Sequence, residues 1–245
     1  MARRRQKGRA TTVRKNSMVA AQIPMVFPVR AAQGRDDFLV TSSNCDAVAW
    51  IDRWPDWPAN ILILTGPPGC GKSHLAHVWQ TVSGAEILSL ETLNSLGIEA
   101  LTKRAAQPLI LEDMDEMIGR EIEEETIFHL YNLLQEKGGS LLITAKSAPA
   151  TWPLALADLK SRLGTIALAR IAEPDDALFA ALLVKHFSDR QLAVPPDVVQ
   201  YIVERLERSF AAAERFVTRL DDNALARKRK ITLALVREVM KEEQE

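Results

Sequence analysis

Residues 66–73 read Gly66-Pro67-Pro68-Gly69-Cys70-Gly71-Lys72-Ser73 and match the pattern G-x-x-x-x-G-K-[ST] at every position. A short apolar run, Ile61 to Thr65, precedes this stretch, and a helical pattern from Ser73 to Val82 follows it. The glycines let backbone N–H groups turn inward around phosphate oxygens, and the positive end of the following helix strengthens that field. The stretch therefore predicts a nucleotide-binding loop between a buried strand and a helix.

The side chains that end this loop have distinct predicted roles. The Lys72 ammonium is expected to reach the terminal phosphates of ADP or ATP, and the Ser73 hydroxyl to ligate Mg²⁺. Cys70 occupies a variable position of the pattern, and we assign it no chemistry. The loop residues predicted to bind the nucleotide are Gly66, Pro67, Pro68, Gly69, Cys70, Gly71, Lys72, Ser73 and His74. For His74, which follows the loop, a packing role is the simpler interpretation.

An acidic pair is expected at the end of the strand beside the loop-bearing strand. Leu109-Ile110-Leu111-Glu112-Asp113 supplies it. We predict that Glu112 holds the Mg²⁺ shell and that Asp113 polarises a water. A solvated acidic loop is the alternative interpretation. Glu112 is also longer than the aspartate usual at the metal position, which leaves the metal geometry and the hydrolysis rate open.

Thr144 ends the fourth apolar run and is predicted to lie between the loop-bearing strand and the acidic strand. Its hydroxyl would there contact the γ-phosphate or the attacking water. A threonine at a strand end is equally common without any such role.

Strand-like and helix-like segments alternate from about Asp36 to Arg170, and helical patterns alone follow. This order predicts an α/β domain with a five-stranded parallel sheet, followed by a small all-helical domain whose third helix runs from about Phe210 to Ala226. The predicted strands are Ile61–Thr65, Ala85–Leu90, Pro108–Leu111, Leu141–Thr144 and Thr165–Ala169. The predicted boundaries are 1–35 for a disordered basic tail, 36–171 for the nucleotide-binding domain and 172–245 for the helical domain.

The near-neutral total charge hides a strong asymmetry. The 245 residues include 31 basic and 32 acidic ones, a formal net charge of −1. Nine basic residues and no acidic ones precede Asp36, which leaves 22 basic against 32 acidic residues in the remainder. A leader of this charge binds DNA weakly and with steep salt dependence, whereas the acidic body does not favour spreading over DNA.

Composition excludes several classes of protein. Hydrophobic residues make up 47% and charged residues 26%, which argues against wholesale disorder and fibrous architecture. Cys45 and Cys70 form neither a disulfide framework nor a metal-ligand spacing. No apolar run approaches the ~18 residues that span a bilayer, and the N-terminus lacks the apolar segment of a secretory signal. We expect a cytoplasmic protein without a membrane partner.

Taken together, these motifs resemble the AAA+ ATPases, and within them the DnaA/Hda family of bacterial replication proteins, over about Asp36 to Lys241. Besides the phosphate loop, the segments that carry the resemblance are Asp37-Phe38-Leu39-Val40, Ser42-Ser43-Asn44, Trp50 to Pro58, Asp158-Leu159-Lys160-Ser161-Arg162-Leu163, Ile231-Thr232-Leu233 and Val236-Arg237-Glu238-Val239. The resemblance implies that Phe38 and Val40 frame the adenine. It also implies that Arg162 projects across a subunit interface as an arginine finger for another subunit's nucleotide.

The resemblance is strongest to the Hda branch, because no room remains after Glu245 for the DNA-reading domain that DnaA carries. Hda-type proteins stimulate hydrolysis of the ATP bound to DnaA while they are tethered to the DNA-loaded sliding clamp, and they thereby restrain initiation. DnaA and the clamp are the implied partners, with DNA reached through the clamp. Gln22-Ile23-Pro24-Met25-Val26-Phe27 is similar to clamp-binding hexapeptides, in which Gln22, Ile23, Met25 and Phe27 would make the contacts.

One position departs from the family pattern. Counting back from Ile231-Thr232-Leu233, the second sensor arginine falls near Ala211, and no gap-free placement brings Arg208 or Arg215 there. A missing cationic contact to the γ-phosphate weakens both the discrimination between ATP and ADP and self-hydrolysis. We therefore expect a nucleotide-bound adaptor with weak ATPase activity of its own.

Two other functions stay open at the level of sequence. An autonomous AAA+ ATPase of the helicase-loader type would use Lys72, Ser73, Glu112 and Asp113 on its own ATP, and clamp binding by residues 22–27 distinguishes the adaptor from it. A nucleic-acid binder would act through residues 3–15. The sequence defines neither the resident nucleotide nor self-association, so a homo-oligomer is compatible with it.

Overall fold

The computed structural model describes residues 39–242. The expectations for the basic tail, for the clamp-like peptide with Gln22, Ile23, Met25 and Phe27, and for Phe38 lie outside these described residues. The strands are β1 (Ile61–Thr65), β2 (Glu86–Ile87), β3 (Leu109–Leu111), β4 (Leu141–Ala145) and β5 (Ala167–Arg170). The helices are α1 (Cys45–Asp52), α2 (Lys72–Ser83), α3 (Leu90–Ser95), α4 (Ile98–Arg104), α5 (Met114–Met117), α6 (Glu124–Lys137), α7 (Ala157–Leu163), α8 (Asp176–Asp189), α9 (Pro196–Val203), α10 (Phe210–Ala226) and α11 (Leu233–Glu242).

The five strands form one parallel sheet in the order β2-β3-β4-β1-β5. Every residue of β1, β3 and β4 is buried, as expected for strands that helices cover on both faces. The predicted five-stranded parallel sheet is confirmed. The position predicted for Thr144 is confirmed, because β4 lies between β3 and β1, and the separate expectation that the acid-bearing strand directly adjoins the loop-bearing strand is therefore wrong. Strand order depends on long-range pairing, which the apolar runs themselves do not encode.

The sheet separates two layers of helices. Ile63 of β1 packs in a core cluster with α6 and α7, where Leu159 is fully buried. Leu64, the next residue of β1, belongs to the cluster on the other face, together with Leu75 of α2. This alternation follows from the pleat of a strand, in which successive side chains point to opposite faces. As a result, α2 and α7 lie on opposite faces of the sheet.

Helices α8 to α11 form a C-terminal helical region with a core of its own, centred on Phe179, Phe187 and Phe216. Helix α10 has the predicted bounds and is capped by Ser209, whose hydroxyl accepts a hydrogen bond from the Ala212 N–H. The architecture expected from the sequence, a parallel α/β fold followed by helices, is confirmed. Within residues 39–242, no helix has both the length and the apolar content that crossing a membrane requires.

The segment before α1 is tied to the start of α8. The Asn44 side chain is buried and donates a hydrogen bond to the Leu39 carbonyl oxygen at 2.9 Å. The Ser42 hydroxyl donates to the Asp175 carboxylate at 2.6 Å, and the same carboxyl group caps α8 by accepting a hydrogen bond from the Leu178 N–H. The beginning of the described chain and the beginning of the C-terminal helical region therefore lie side by side.

Candidate nucleotide site and arginine finger

The predicted phosphate loop joins β1 to α2 and has a left-handed backbone at two glycines. Gly69 has a φ of 77° and Gly71 a φ of 94°, which are conformations that favour glycine. Gly71 immediately precedes α2, and the first-turn N–H groups of a helix lack intrahelical partners and favour anions. The backbone by itself thus provides an anion-binding turn.

Lys72 is only 7% exposed although it carries a charge. Its ammonium donates hydrogen bonds to the carbonyl oxygens of Gly66 at 2.9 Å and Pro67 at 3.1 Å. An ammonium has three N–H donors, so one donor remains for a phosphate oxygen. The two carbonyl contacts hold the cation at the loop, where the predicted role requires it.

Gly66 lies where no side chain fits. A Cβ atom at this position would lie 2.8 Å from the Cys70 sulfur and 2.9 Å from the Ile171 carbonyl oxygen. Burial raises the pKa of the Cys70 thiol, although the nearby Lys72 ammonium opposes the shift. The thiol therefore stays protonated at neutral pH and acts as a packing group under the loop.

The residues predicted to ligate magnesium begin α2 and follow β3. Ser73 is exposed in the first turn of α2. The Oε1 atom of Glu112 is buried, and it has no hydrogen-bond partner among residues 39–242. Mg²⁺ is commonly bound through one or two carboxylates together with substrate phosphates and water. A buried, unpaired carboxylate oxygen fits that role, and a bound ion would supply positive charge to the phosphates.

Pairing of β3 with β4 brings Asp113 and Thr144 together. Thr144 is 1% exposed, and its Oγ1 accepts a hydrogen bond from the Asp113 N–H at 3.0 Å. Asp113 has a φ of 48°, which is uncommon for a residue other than glycine, and its side chain is exposed. Asp113, predicted to polarise a water, and Thr144, predicted to contact the γ-phosphate, therefore lie at the carboxyl ends of neighbouring strands.

Sequence reasoning gave no structural role to Asp115, which also lies near this edge. Its carboxylate accepts hydrogen bonds from the backbone N–H groups of Lys146 and Ser147, each at 3.0 Å, and from the Ser147 hydroxyl at 3.0 Å. The Lys146 ammonium pairs with Glu116. These contacts fix the turn after β4 next to the acidic pair. Their only sign in the sequence is the position of Asp115 and Glu116 in an acidic run.

Two further residues of the predicted nucleotide set, Val40 and His74, are half-buried. Val40 packs, half-buried, against the core on the α2 side of the sheet. His74 is half-buried in the first turn of α2, as the packing interpretation expects.

The N-terminus of α10 meets the phosphate loop. A Cβ atom on Gly69 would lie 3.4 Å from the Cβ atom of Phe210, the first residue of α10. Ala211 therefore occupies the first turn of a helix that begins beside the loop. Arg208 precedes the helix and forms an ion pair with Asp176.

Arg162 lies on α7, and the guanidinium is held by polar and aromatic side chains. The Asp158 carboxylate accepts a hydrogen bond from its Nε at 3.2 Å and forms an ion pair with its Nη2 at 3.1 Å, and Asn132 Oδ1 accepts a hydrogen bond from its Nη1 at 2.8 Å. The Cζ atom lies 4.9 Å from the ring centroid of Phe128 and 5.3 Å from that of Tyr131. The side chain remains 36% exposed. The sheet lies between this helix and α2, which begins at the chain's own phosphate loop.

Comparison with known proteins agrees with this arrangement. Residues 175–240 match the family described as Hda, lid domain. The chromosomal replication initiator protein DnaA of Thermomicrobium roseum is 27% identical over 217 residues, which cover 82% of this chain and 46% of that protein. Domain III of DnaA from Thermotoga maritima has a TM-score of 0.67 at 17% identity, covering 84% of this chain and 95% of its own. AMPPCP-bound DnaA from Aquifex aeolicus has a TM-score of 0.62 at 17% identity, covering 84% and 68%.

Together these likenesses support an AAA+ protein of the DnaA/Hda family. The lid match coincides with α8 to α11, so the C-terminal helical region resembles an Hda lid. The chain spans about half the length of the curated relatives it matches, 46% of the Thermomicrobium protein and 51% of DnaA from Caldanaerobacter subterraneus.

Proposed function

We propose that this DnaA/Hda-family protein is a cytoplasmic, nucleotide-bound adaptor that supplies Arg162 to the ATP site of DnaA. It stimulates hydrolysis there and so restrains the initiation of DNA replication. The protein acts while it is tethered to the DNA-loaded sliding clamp through residues 22–27, so that its contact with DNA is indirect and is aided by the basic leader. The location of Arg162 carries the proposal, because the sheet lies between its helix and α2 while the guanidinium stays accessible.

The chain's own loop holds ADP or ATP with Mg²⁺ in this proposal. Lys72 and the loop N–H groups bind the phosphates, while Ser73 and Glu112 hold the metal. Asp113 and Thr144 orient a water in this proposal, but Ala211 supplies no cation for the γ-phosphate. The bound nucleotide is therefore turned over slowly and serves mainly to hold the lid against the sheet.

An arginine supplied from another subunit has a known physical effect. It stabilises the charge on the transferring phosphoryl group, and in GTPases it is worth ~10³–10⁵ in rate. Arg162 is suited to this role because guanidinium is charged at every physiological pH and matches phosphate oxygens bidentately.

The decisive experiment measures hydrolysis of labelled ATP preloaded on DnaA, in the presence of loaded clamp and this protein. Arg162→Ala is expected to reduce stimulated hydrolysis to the unstimulated rate. Arg205→Ala is the matched control, since Arg205 also stacks on a ring, that of Tyr201 at 3.8 Å, and also pairs with an acid, Glu204 at 2.9 Å. Equal activity of Arg162→Ala and Arg205→Ala would remove the assignment.

Nucleotide binding by the chain itself is tested separately, by titration with fluorescent ADP. Lys72→Ala is expected to weaken binding by roughly 10- to 100-fold, because a charged hydrogen bond to phosphate contributes about 1.5–3 kcal/mol. Lys185→Ala removes an exposed lysine that pairs with Asp189 on α8 and serves as the control. Unchanged affinity of the Lys72 variant contradicts the predicted site.

The tether is tested by changing Gln22 and Phe27 together to alanine in the DnaA assay. We expect loss of stimulation with the loaded clamp, and equally low stimulation of wild type when the clamp is omitted. If the protein instead hydrolyses its own ATP at ~1 s⁻¹ or faster, and neither the clamp nor Arg162→Ala matters, it is an autonomous ATPase.

A further inference from the structure

Arg162 contacts a small group of side chains on α6, outside the Asp158–Leu163 motif that contains it. Phe128, Tyr131 and Asn132 are spaced by three and four residues, so that they share one side of α6. Both ring centroids lie within the ~6 Å over which a guanidinium is attracted to an aromatic face. Asn132 adds a hydrogen bond at 2.8 Å. We name these three residues the α6 platform.

The contacts leave part of the guanidinium available. The group has five N–H donors, of which Nε donates to Asp158 and one on Nη1 donates to Asn132, while Nη2 lies 3.1 Å from the Asp158 carboxylate in an ion pair. At least one donor on each terminal nitrogen has no hydrogen-bond partner within residues 39–242. A guanidinium that binds two oxygens of a phosphate uses two N–H donors, so these two are sufficient.

We infer that Phe128, Tyr131 and Asn132 are positioning residues, which hold the Arg162 guanidinium in the orientation it needs to meet a phosphate group of another subunit's nucleotide. This inference rests on the proposed function of Arg162. The platform lies on the opposite side of the sheet from the chain's own loop-bearing helix, since α6 and α2 belong to the cores on opposite faces.

The physical reason is pre-organisation. A free arginine side chain samples many rotamers, and ordering it in the assembled complex costs conformational entropy. This cost lowers the rate of ATP hydrolysis that the complex reaches. Stacking on two rings limits that freedom before assembly. Asp158 contributes less, because it is 57% exposed and surface ion pairs are weak.

The platform is tested in the hydrolysis assay with DnaA-bound ATP and loaded clamp, over a range of protein concentrations. Phe128→Leu and Asn132→Ala are expected to lower the maximal stimulated rate by roughly 10-fold, and by no more than the ~100-fold that follows a 1 Å misplacement. The concentration for half-maximal stimulation should stay unchanged. Phe128→Tyr keeps an aromatic face and should restore the rate to within about 3-fold of wild type.

Tyr201→Leu provides the matched control, because Tyr201 carries the stacked guanidinium of Arg205 in the C-terminal helical region. It should leave the maximal rate unchanged. A second measurement does not depend on DnaA: the Arg162 Nε–Hε NMR resonance should show a ring-current shift in wild type and lose it in Phe128→Leu and Tyr131→Leu. This measurement keeps the inference falsifiable if one variant folds poorly.

The outcomes separate the two proposals. If Arg162→Ala abolishes stimulation while Phe128→Leu, Tyr131→Leu and Asn132→Ala keep the wild-type rate, the platform is overturned and the finger stands. If these variants change only the half-maximal concentration, the residues dock the partner and do not position Arg162. If Arg162→Ala is fully active, the proposed function itself fails.

Discussion

The backbone N–H of Asp113 donates a hydrogen bond to the Thr144 hydroxyl across the ends of β3 and β4, at 3.0 Å. Because Oγ1 accepts this bond, the hydrogen of the same hydroxyl is left to donate elsewhere. A single buried side chain thus holds Asp113 in its left-handed conformation and retains a donor for a phosphate oxygen or a water. The two residues act as a unit, so a change at Thr144 is expected to affect both.

Thr144→Val keeps the shape of the side chain but removes both hydrogen-bonding functions. We expect it to lower the free energy of unfolding by about 1 kcal/mol and to weaken ATP binding relative to ADP by roughly 3- to 10-fold, which is the range of a single hydrogen bond. Urea denaturation and paired nucleotide titrations measure the two effects. Thr144→Ser, which retains the hydroxyl, should stay near wild type in both. A valine variant with wild-type stability and nucleotide preference would contradict the dual role.

Ala211→Arg places a guanidinium in the first turn of α10, beside the phosphate loop that Phe210 contacts. A charged hydrogen bond to the γ-phosphate contributes about 1.5–3 kcal/mol, so the preference for ATP over ADP should rise by roughly 10-fold or more. Equilibrium titrations with the two nucleotides give this ratio directly. Ala211→Met, a long and uncharged side chain, should leave the ratio unchanged. If the arginine variant also leaves it unchanged, α10 does not face the γ-phosphate.

The two cysteines should differ in reactivity toward a maleimide. Cys45 is exposed, whereas Cys70 is buried and its thiol pKa is raised by burial. Since the thiolate is the nucleophile, Cys70 should react at least about 10-fold more slowly at neutral pH. Its rate should still increase above pH ~9, because its pKa lies above the ordinary value. Single Cys→Ser variants assign the two rates by mass spectrometry, and equal rates would show that the loop opens.

Gly139→Ala is expected to be strongly destabilising, by at least about 3 kcal/mol. A Cβ atom there would lie 2.2 Å from the Ala105 carbonyl oxygen, and backbone atoms cannot rotate away from it. The neighbouring Gly138→Ala is the control. Gly138 has a φ of 76° but open space around it, so only the backbone conformation is penalised, by about 1–2 kcal/mol. Urea unfolding compares the free energies of unfolding of the two variants. Equal losses would mean that a small local shift is enough to remove the clash with Ala105.

Local signals in the sequence predicted much of the fold. The loop between β1 and α2 is defined by residues within eight positions of one another, and α10 has the bounds that its apolar spacing and the preceding Ser209 favour. Such signals do not encode strand order, and the sequence supported two incompatible expectations: Thr144 between the two strands, and the acid-bearing strand directly beside the loop-bearing one. Pairing between segments that are far apart in the chain decides between them and inserts β4 between β3 and β1.

The candidate site also divides into contacts between residues near one another in the sequence and contacts between distant residues. Lys72 was predicted from spacing alone, and its carbonyl contacts lie within six residues. The partners of Arg162 on α6 are about 30 residues away, and no periodicity connects them. Likewise, Glu124 lies in an acidic run at the start of α6, a composition typical of a solvated helix start. It nevertheless accepts hydrogen bonds from the Ala155 and Leu156 N–H groups at 2.9 and 2.7 Å.

The hydrogen bond from Ser42 to Asp175 has a mechanical consequence. It links the segment before α1 to the N-terminus of α8, where the C-terminal helices begin. Any motion of those helices relative to the sheet must therefore either break this hydrogen bond or move the segment before α1 together with α8.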